Sequence, residues 1–473
     1  MSPDTAADEI LLNWGPAIAW SAFVPGPTNP WDEVKVAHLY RRVACGATWA
    51  EIQAGVRAAP SELIRLLVEG GPTQPEFEAE AARLQTGVLA TGQPAQLKAL
   101  WFYRMLHSPH PLRERMTLFW HDHFATSNAK VNNIFLMQQQ NDTLRRHALG
   151  RFDTMLQELT LDPAMLIWLD SNTNRKGRPN ENYAREVFEL FGLGVGAYTE
   201  KDIQEAARAL TGWEVRDGKS FFDPAHFDDG PKTVLGQTGR WGAGDVVRIC
   251  LAQDACARFI VRKLFRVLVS EAANPSDEML QPLTEGFRIR NYDIGWLVQT
   301  MLSSWAFFSP AAIGQRIKSP VEFAVGAVRS LGGDISTVRL SEECDKIGQS
   351  LFYPPSVKGW DGGETWINST TLLHRQNLAF ELTRGTGLGL RCDPAKTIEP
   401  YLTVGASDAD VARFFLQLFH QRAEEPVVNH ITGYLAAERE KQKGRLMSDR
   451  TRFTLAARTA AHLALTLPES QLG

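Results

Sequence analysis

Residues 94–124 read PAQLKALWFYRMLHSPHPLRERMTLFWHDHF, and their spacing decides the fold. Apolar and aromatic side chains recur there at helical spacing, with Met116, Phe119, Trp120 and His123 on one stripe. The same period continues on both sides. Val36, Leu39, Tyr40 and Val43 share a helix face, and Gly46 is expected to end that helix. Thr48, with Glu51 three residues on, reads as a capping box for the next helix. Asn133–Leu159 is read as one helical stretch, and Asp162-Pro163 opens a short segment. Asn180 is expected to cap a helix over Glu181–Leu190, which Gly192, Gly194 and Gly196 then break. Thr199 with Asp202 repeats the capping-box pattern. Phe259, Ile260, Lys263, Leu264, Val267 and Leu268 again repeat at helical spacing, and Ser319-Pro320 starts a further helix. Helices around Asp408–Gln421 and Arg452–Leu465 close the chain.

Two segments differ. Gly218–Gly244 is rich in Gly, Asp and Pro and predicts loops with at most a small β-hairpin. Tyr353–Thr365 is irregular as well. Alternating strand patterns are scarce, which argues against a βαβ architecture. The predicted class is therefore mainly α: a multi-helix globular protein with long irregular loops. Residues 1–32 read as an irregular N-terminal arm, 33–385 as the main helical domain, and 386–473 as helices packing on the same core.

Composition narrows the function classes. With 44% hydrophobic and 22% charged residues in 473, the chain is an ordinary globular one, long enough to bury a large core. Its 50 basic and 54 acidic residues give a net charge of −4, which argues against a broad nucleic-acid footprint. Five cysteines, Cys45, Cys250, Cys256, Cys344 and Cys392, form no CxxC pair, so buried free thiols are expected rather than a zinc ribbon or disulfide framework. Met1–Glu9 carries three acids and no base, unlike a secretory leader, and no run approaches the roughly 18 apolar residues of a membrane span. A cytoplasmic location, with neither membrane nor nucleic acid as partner, is the expectation.

Several ordered motifs together carry a resemblance. They are Ala37-His38-Leu39-Tyr40-Arg41-Arg42 with Gly46-Ala47-Thr48, Leu118-Phe119-Trp120-His121-Asp122-His123-Phe124, and Asn180-Glu181-Asn182-Tyr183-Ala184-Arg185-Glu186. The last continues through Glu189-Leu190 and Leu193-Gly194 to Tyr198-Thr199-Glu200 and Leu210-Thr211-Gly212-Trp213. Asp229-Gly230-Pro231-Lys232-Thr233, Lys318-Ser319-Pro320-Val321-Glu322-Phe323 and Pro354-Pro355 through Trp366-Ile367-Asn368-Ser369 complete the set. Over Val34–Leu382 the chain resembles the uncharacterised bacterial family catalogued as domain of unknown function 1800. The resemblance names no reaction. Many relatives carry export signals, and many are encoded near a sulfatase-like family, which implies a partner of that kind. Some relatives have His where this chain has Phe191.

Chemistry is sought in four places. On a helix, His121 and His123 point about 200° apart; on an extended segment they would share a face and could hold an ion. Each is read either as a hydrogen-bonded core histidine or as a metal ligand or general base. Glu181, Arg185, Glu186 and Glu189 share one predicted helix, as a structural Arg–Glu network or as paired carboxylates for acid–base work. His226, Asp228, Asp229 and Lys232 lie in the Gly-rich segment, as solvated turns or as a cation and anion site. Lys358, Trp360, Asp361, Trp366, Asn368, His374 and Arg375 form a polar–aromatic group that suits a sugar or a packed core.

Gly385-Thr386-Gly387-Leu388-Gly389 follows no strand and is not a dinucleotide loop, and neither a Walker loop, a Gly-x-Ser-x-Gly elbow nor a His-Glu-x-x-His motif occurs. The leading expectation is a hydrolase or group transferase acting on a polar sugar-, phosphate- or carboxylate-bearing substrate. His123, Glu181, Arg185 and Glu186 would be catalytic, and Lys232, Trp360, Asn368 and Arg375 would bind substrate. His121, His123 and Asp229 would hold a divalent metal, the candidate cofactor. The alternative is a non-catalytic helical partner module for another protein, such as the sulfatase-like neighbour. Convergence of His123, Glu186 and the loop residues in one cleft discriminates the two.

Overall fold

The computed structural model describes residues 14–72, 74–420, 422–443 and 447–473. The acidic stretch Met1–Glu9 lies outside them. Helix α1 (Glu33–Ala44) is capped by Asp32, whose carboxylate accepts the Lys35 N–H at 3.1 Å. Its end differs from expectation: Cys45, not Gly46, takes the left-handed conformation. Gly46 serves instead for close approach, because a Cβ there would lie 2.8 Å from the Gly326 carbonyl oxygen. Helix α2 (Trp49–Arg57) starts at the predicted Thr48–Glu51 capping box.

The quoted stretch forms α3 (Pro94–His107) and α4 (Pro111–His123), each opening on a proline at its first position, where the missing N–H is harmless. Trp101 and Trp120 are fully buried between them and their neighbours, with the Trp120 indole N–H donating to the Ala148 carbonyl at 3.0 Å. Asn133–Leu159 is not one helix. It divides into α5 (Ile134–His147) and α6 (Phe152–Thr160), because Gly150–Phe152 pairs like a short strand with Tyr292–Ile294. Tertiary pairing there overrides local propensity.

Helix α7 (Asn182–Glu186) runs on into a π-helical turn over Val187–Gly192, and α8 (Glu200–Ala209) follows its Thr199–Asp202 capping box. The Gly-rich segment holds two hairpins, one more than expected: β1 (Trp213–Arg216) with β2 (Lys219–Phe222), and β3 (Lys232–Val234) with β4 (Gln237–Gly239). Asp217-Gly218 and Leu235-Gly236 all have positive φ, as a two-residue primed turn requires. Asp-Gly is the usual sequence signal for such a turn; Leu at that position is not.

Among the remaining helices are α9 (Asp254–Leu268), α10 (Pro320–Ser330), α11 (Thr337–Ile347), α12 (Ser369–Thr383), α13 (Asp408–His420), α14 (Glu425–Lys441) and α15 (Asp449–Thr466). The mainly α class is observed. Helix α10 is buried along nearly its whole length and packs on α3, α11, α12 and α13. Helix α13 in turn meets α1, and α15 packs on α12 and α13. One contiguous hydrophobic cluster runs from Ala19 to Leu465. In the arm residues 14–19 are helical and 20–32 are irregular; Trp20 donates to the Met279 carbonyl at 2.6 Å, and Phe23 packs on Trp305. Helix α14, which sequence spacing did not single out, buries only Val428, Ile431 and Leu435. The five cysteines are free and buried. No described helix is long and apolar enough to cross a membrane.

Candidate functional site

Helices α4 and α9, the π-helical turn and the irregular segment after Tyr353 enclose a cleft of about 700 Å³. Asp122, His123, Lys263 and Trp360 line it, with Phe259 and Trp366 as apolar walls and Glu189, Arg266, Glu271 and Lys358 as further polar groups. The π-helical turn explains part of this floor. Its last carbonyls lack intrahelical donors, and here side chains supply them. The Lys263 ammonium donates to the Leu190 carbonyl at 3.3 Å, and His123 Nε2 lies 3.1 Å from the Phe191 carbonyl. Lys263 Nζ also lies 3.0 Å from His123 Nδ1. An ammonium only donates and a carbonyl only accepts, so His123 carries its proton on Nε2 and accepts through Nδ1. Burial and the Lys263 charge hold its ring well below its ordinary range, that is, neutral.

Asp122 accepts the Trp360 backbone N–H at 2.7 Å, and Gly359 packs so tightly on its carboxylate that a Cβ has no room there. Burial raises the Asp122 carboxyl to about 6. Burial lowers the Lys263 amine to about 8, partly offset by attraction to Asp122. Two groups of opposite sign thus titrate near neutrality on the floor of one apolar-walled cleft, the arrangement expected of acid–base chemistry. At one margin, Glu322 lies 2.6 Å from both Arg115 and Arg316, and this buried triad holds the Glu322 carboxyl far below its usual range.

The other sequence candidates fall elsewhere. His121 points to the opposite side of α4, as i, i+2 spacing on a helix requires; its Nε2 accepts the Phe352 N–H at 3.1 Å, and burial lowers it to about 3. Asp229 is exposed and pairs with Lys176 at 2.7 Å. The expected metal set of His121, His123 and Asp229 is therefore not assembled, and both His123 nitrogens are already engaged. Arg185 bonds Glu200 through two contacts of 2.8 Å and reaches Glu181 at 3.4 Å, a half-exposed network away from the cleft. Glu181 lines a separate open hollow with Arg175 and Arg178. Glu186 is outside the cleft lining, raised by burial and by the Glu189 carboxylate, which does line it. Lys232 is buried, its ammonium bonded to the Asp228 and Gly230 carbonyls. Asn368 caps α12, and Arg375 is fully buried, donating to Lys318 O and Gln471 Oε1. Of the four predicted substrate-binding residues, only Trp360 lines the cleft.

Asp122 and Lys263 were missed as site residues. Their signal was present: Asp122 sits between the two histidines of a quoted motif, and Lys263 occupies the buried stripe of α9, where a cation is out of place. Phe191 lies beside the His123 ring, tilted by 55° with centroids 6.1 Å apart. The family described as protein of unknown function (DUF1800) matches residues 38–472. The chain belongs to that family. The match extends past Leu382, the end of the stretch over which the motifs carry the resemblance, through the C-terminal helices. No curated protein and no solved structure matches the chain.

Proposed function

We propose that this member of the family is a hydrolase or group transferase whose acid–base pair is Asp122 and Lys263, with His123 as positioning residue. The observation that carries the reading is the opposed shift of the two groups on one cleft floor, to about 6 and about 8. Between those values Asp122 is ionised and Lys263 protonated. The Asp122 carboxylate takes a proton from water, or from an acceptor hydroxyl, as that oxygen attacks the substrate. The Lys263 ammonium gives its proton to the leaving oxygen, and solvent returns the proton from Asp122 to Lys263. His123, neutral and bonded at both nitrogens, fixes where the ammonium points. Trp360 and Trp366 suit the apolar face of a ring, while Arg266 and Lys358 suit sugar hydroxyls, phosphate or carboxylate.

The test is a turnover screen on chromogenic phosphate, glycoside and carboxylic ester panels with the full chain, Asp122→Asn and Lys263→Met. Turnover lost by roughly 100- to 10,000-fold in both variants, with melting temperature kept, supports the reading. Turnover unchanged by both variants sinks it. The second reading, a helical partner module, draws on Leu373 and Phe380, two turns apart on α12 and each about half exposed. It predicts that Leu373→Asp abolishes capture of a partner without touching any turnover.

A further inference from the structure

Arg41, Lys318 and Arg375 place three basic side chains beneath the C-terminal helices; burial and the two guanidinium charges lower the Lys318 amine to about 7, where a nearby anion would restore its proton. Arg41 and Arg375 are buried, and among the described residues no carboxylate lies within ion-pair distance of any of the three. A guanidinium keeps its proton, and a charge taken out of water needs a partner. The hydrogen bonds present do not supply one. Arg41 Nη2 reaches the Leu418 carbonyl at 3.4 Å, but its buried Nη1 has no partner among the described residues. The Lys318 ammonium donates to the Ser470 carbonyl at 2.9 Å.

Arg41 and Lys318 line a common cavity of about 20 Å³, together with Cys45, Gly46, Ser330 and Ser470. A cavity needs roughly 10–15 Å³ on this measure for one water-sized occupant, so it takes a single small particle and excludes polyatomic anions. Cys45 is not the missing anion, because burial raises its thiol to about 11. Glu322 is already shared by Arg115 and Arg316.

We propose that this cavity is a halide site, in which one chloride-sized anion accepts from Arg41 Nη1 and Lys318 Nζ beside the Ser330 hydroxyl. The ion neutralises the buried charge and ties together α1, the body and end of α10, the end of α13, and the end of α15 with the segment after it, which all contribute lining. The site is independent of the cleft chemistry.

Bromide is the probe. Crystals of the full chain grown in sodium bromide should show an anomalous peak between Arg41 and Lys318. The melting temperature should be higher in sodium bromide than in sodium gluconate at equal ionic strength, by roughly 1–2 °C or more, and Lys318→Met should lose that difference. No anomalous peak in the cavity, or equal melting in the two salts, overturns the proposal. Should Lys318→Met fail to fold, the wild-type bromide map decides alone.

Discussion

Two regions gather histidine, carboxylates and cations at close quarters: the cleft floor, and the hairpin segment over residues 213–239. In the hairpin segment Glu214, Asp223 and His226 bring ligand atoms within 4.8 Å of one another. Yet Arg175 and Arg216 lie 3.1 and 2.9 Å from Glu214, and Arg216 lies 3.0 Å from Asp223. Asp228 is held by Arg208, Asp229 by Lys176, and Lys232 by carbonyls. The Glu214, Asp228 and Asp229 carboxyls are depressed chiefly by the basic side chains bonded to them, and Asp223 by the Ala225 backbone N–H and then by Arg216. On the cleft floor burial outweighs pairing, so Asp122 rises and Lys263 falls. Density of functional residue types is thus compatible with a fully matched charge network, whereas groups shifted by burial beside an open cleft are the stronger candidate for chemistry.

The comparison can be broken by mutation. The largest effect is expected at the cleft margin, where Glu322→Gln leaves Arg115 and Arg316 without their shared anion. Urea denaturation should show a loss of about 3–5 kcal/mol, as for other broken buried pairs. Next, kcat/KM against pH should be bell-shaped: below about 6 Asp122 gains a proton and stops acting as base, and above about 8 Lys263 loses the proton it must donate. Lys263→Arg should move the alkaline limb upward; a flat profile would remove the pair from the mechanism.

A subtler test uses stability. Lys263 has a lower pKa folded (about 8) than its ordinary 10.5, so the unfolded chain binds more protons between those values. Wild-type stability should therefore gain a contribution that grows as pH rises from about 8 to 10.5, and Lys263→Met should lack it. Chemical denaturation of both proteins across that range measures the difference. The smallest effect belongs to the hairpin segment: Asp229→Asn should leave both the denaturation midpoint and any turnover unchanged, since exposed pairs contribute little. A strong loss of activity there would reverse the comparison.

Much of the frame was legible in local signals. Capping boxes at Thr48 and Thr199, and the helix start at Ser319, occur where the sequence placed them, because side chain and backbone meet within one turn and need no distant partner. The break at Ala148–Arg151 was not legible, because its cause is pairing with Tyr292–Ile294, far along the chain. His123 was legible as a stripe histidine near a pocket, but its partners Lys263 and the Leu190 and Phe191 carbonyls come from other elements.

Local pattern was enough for the helical class and for the helix starts at Thr48, Thr199 and Ser319, since these follow from spacing and from contacts within a turn. Only the tertiary structure decided which charged residues are matched and which are left short of a partner. That depends on burial and on residues distant in the chain, as at Asp122 with Trp360 and Lys263 with His123. Desolvation is a property of the packed whole, and no local pattern of residue types encodes it.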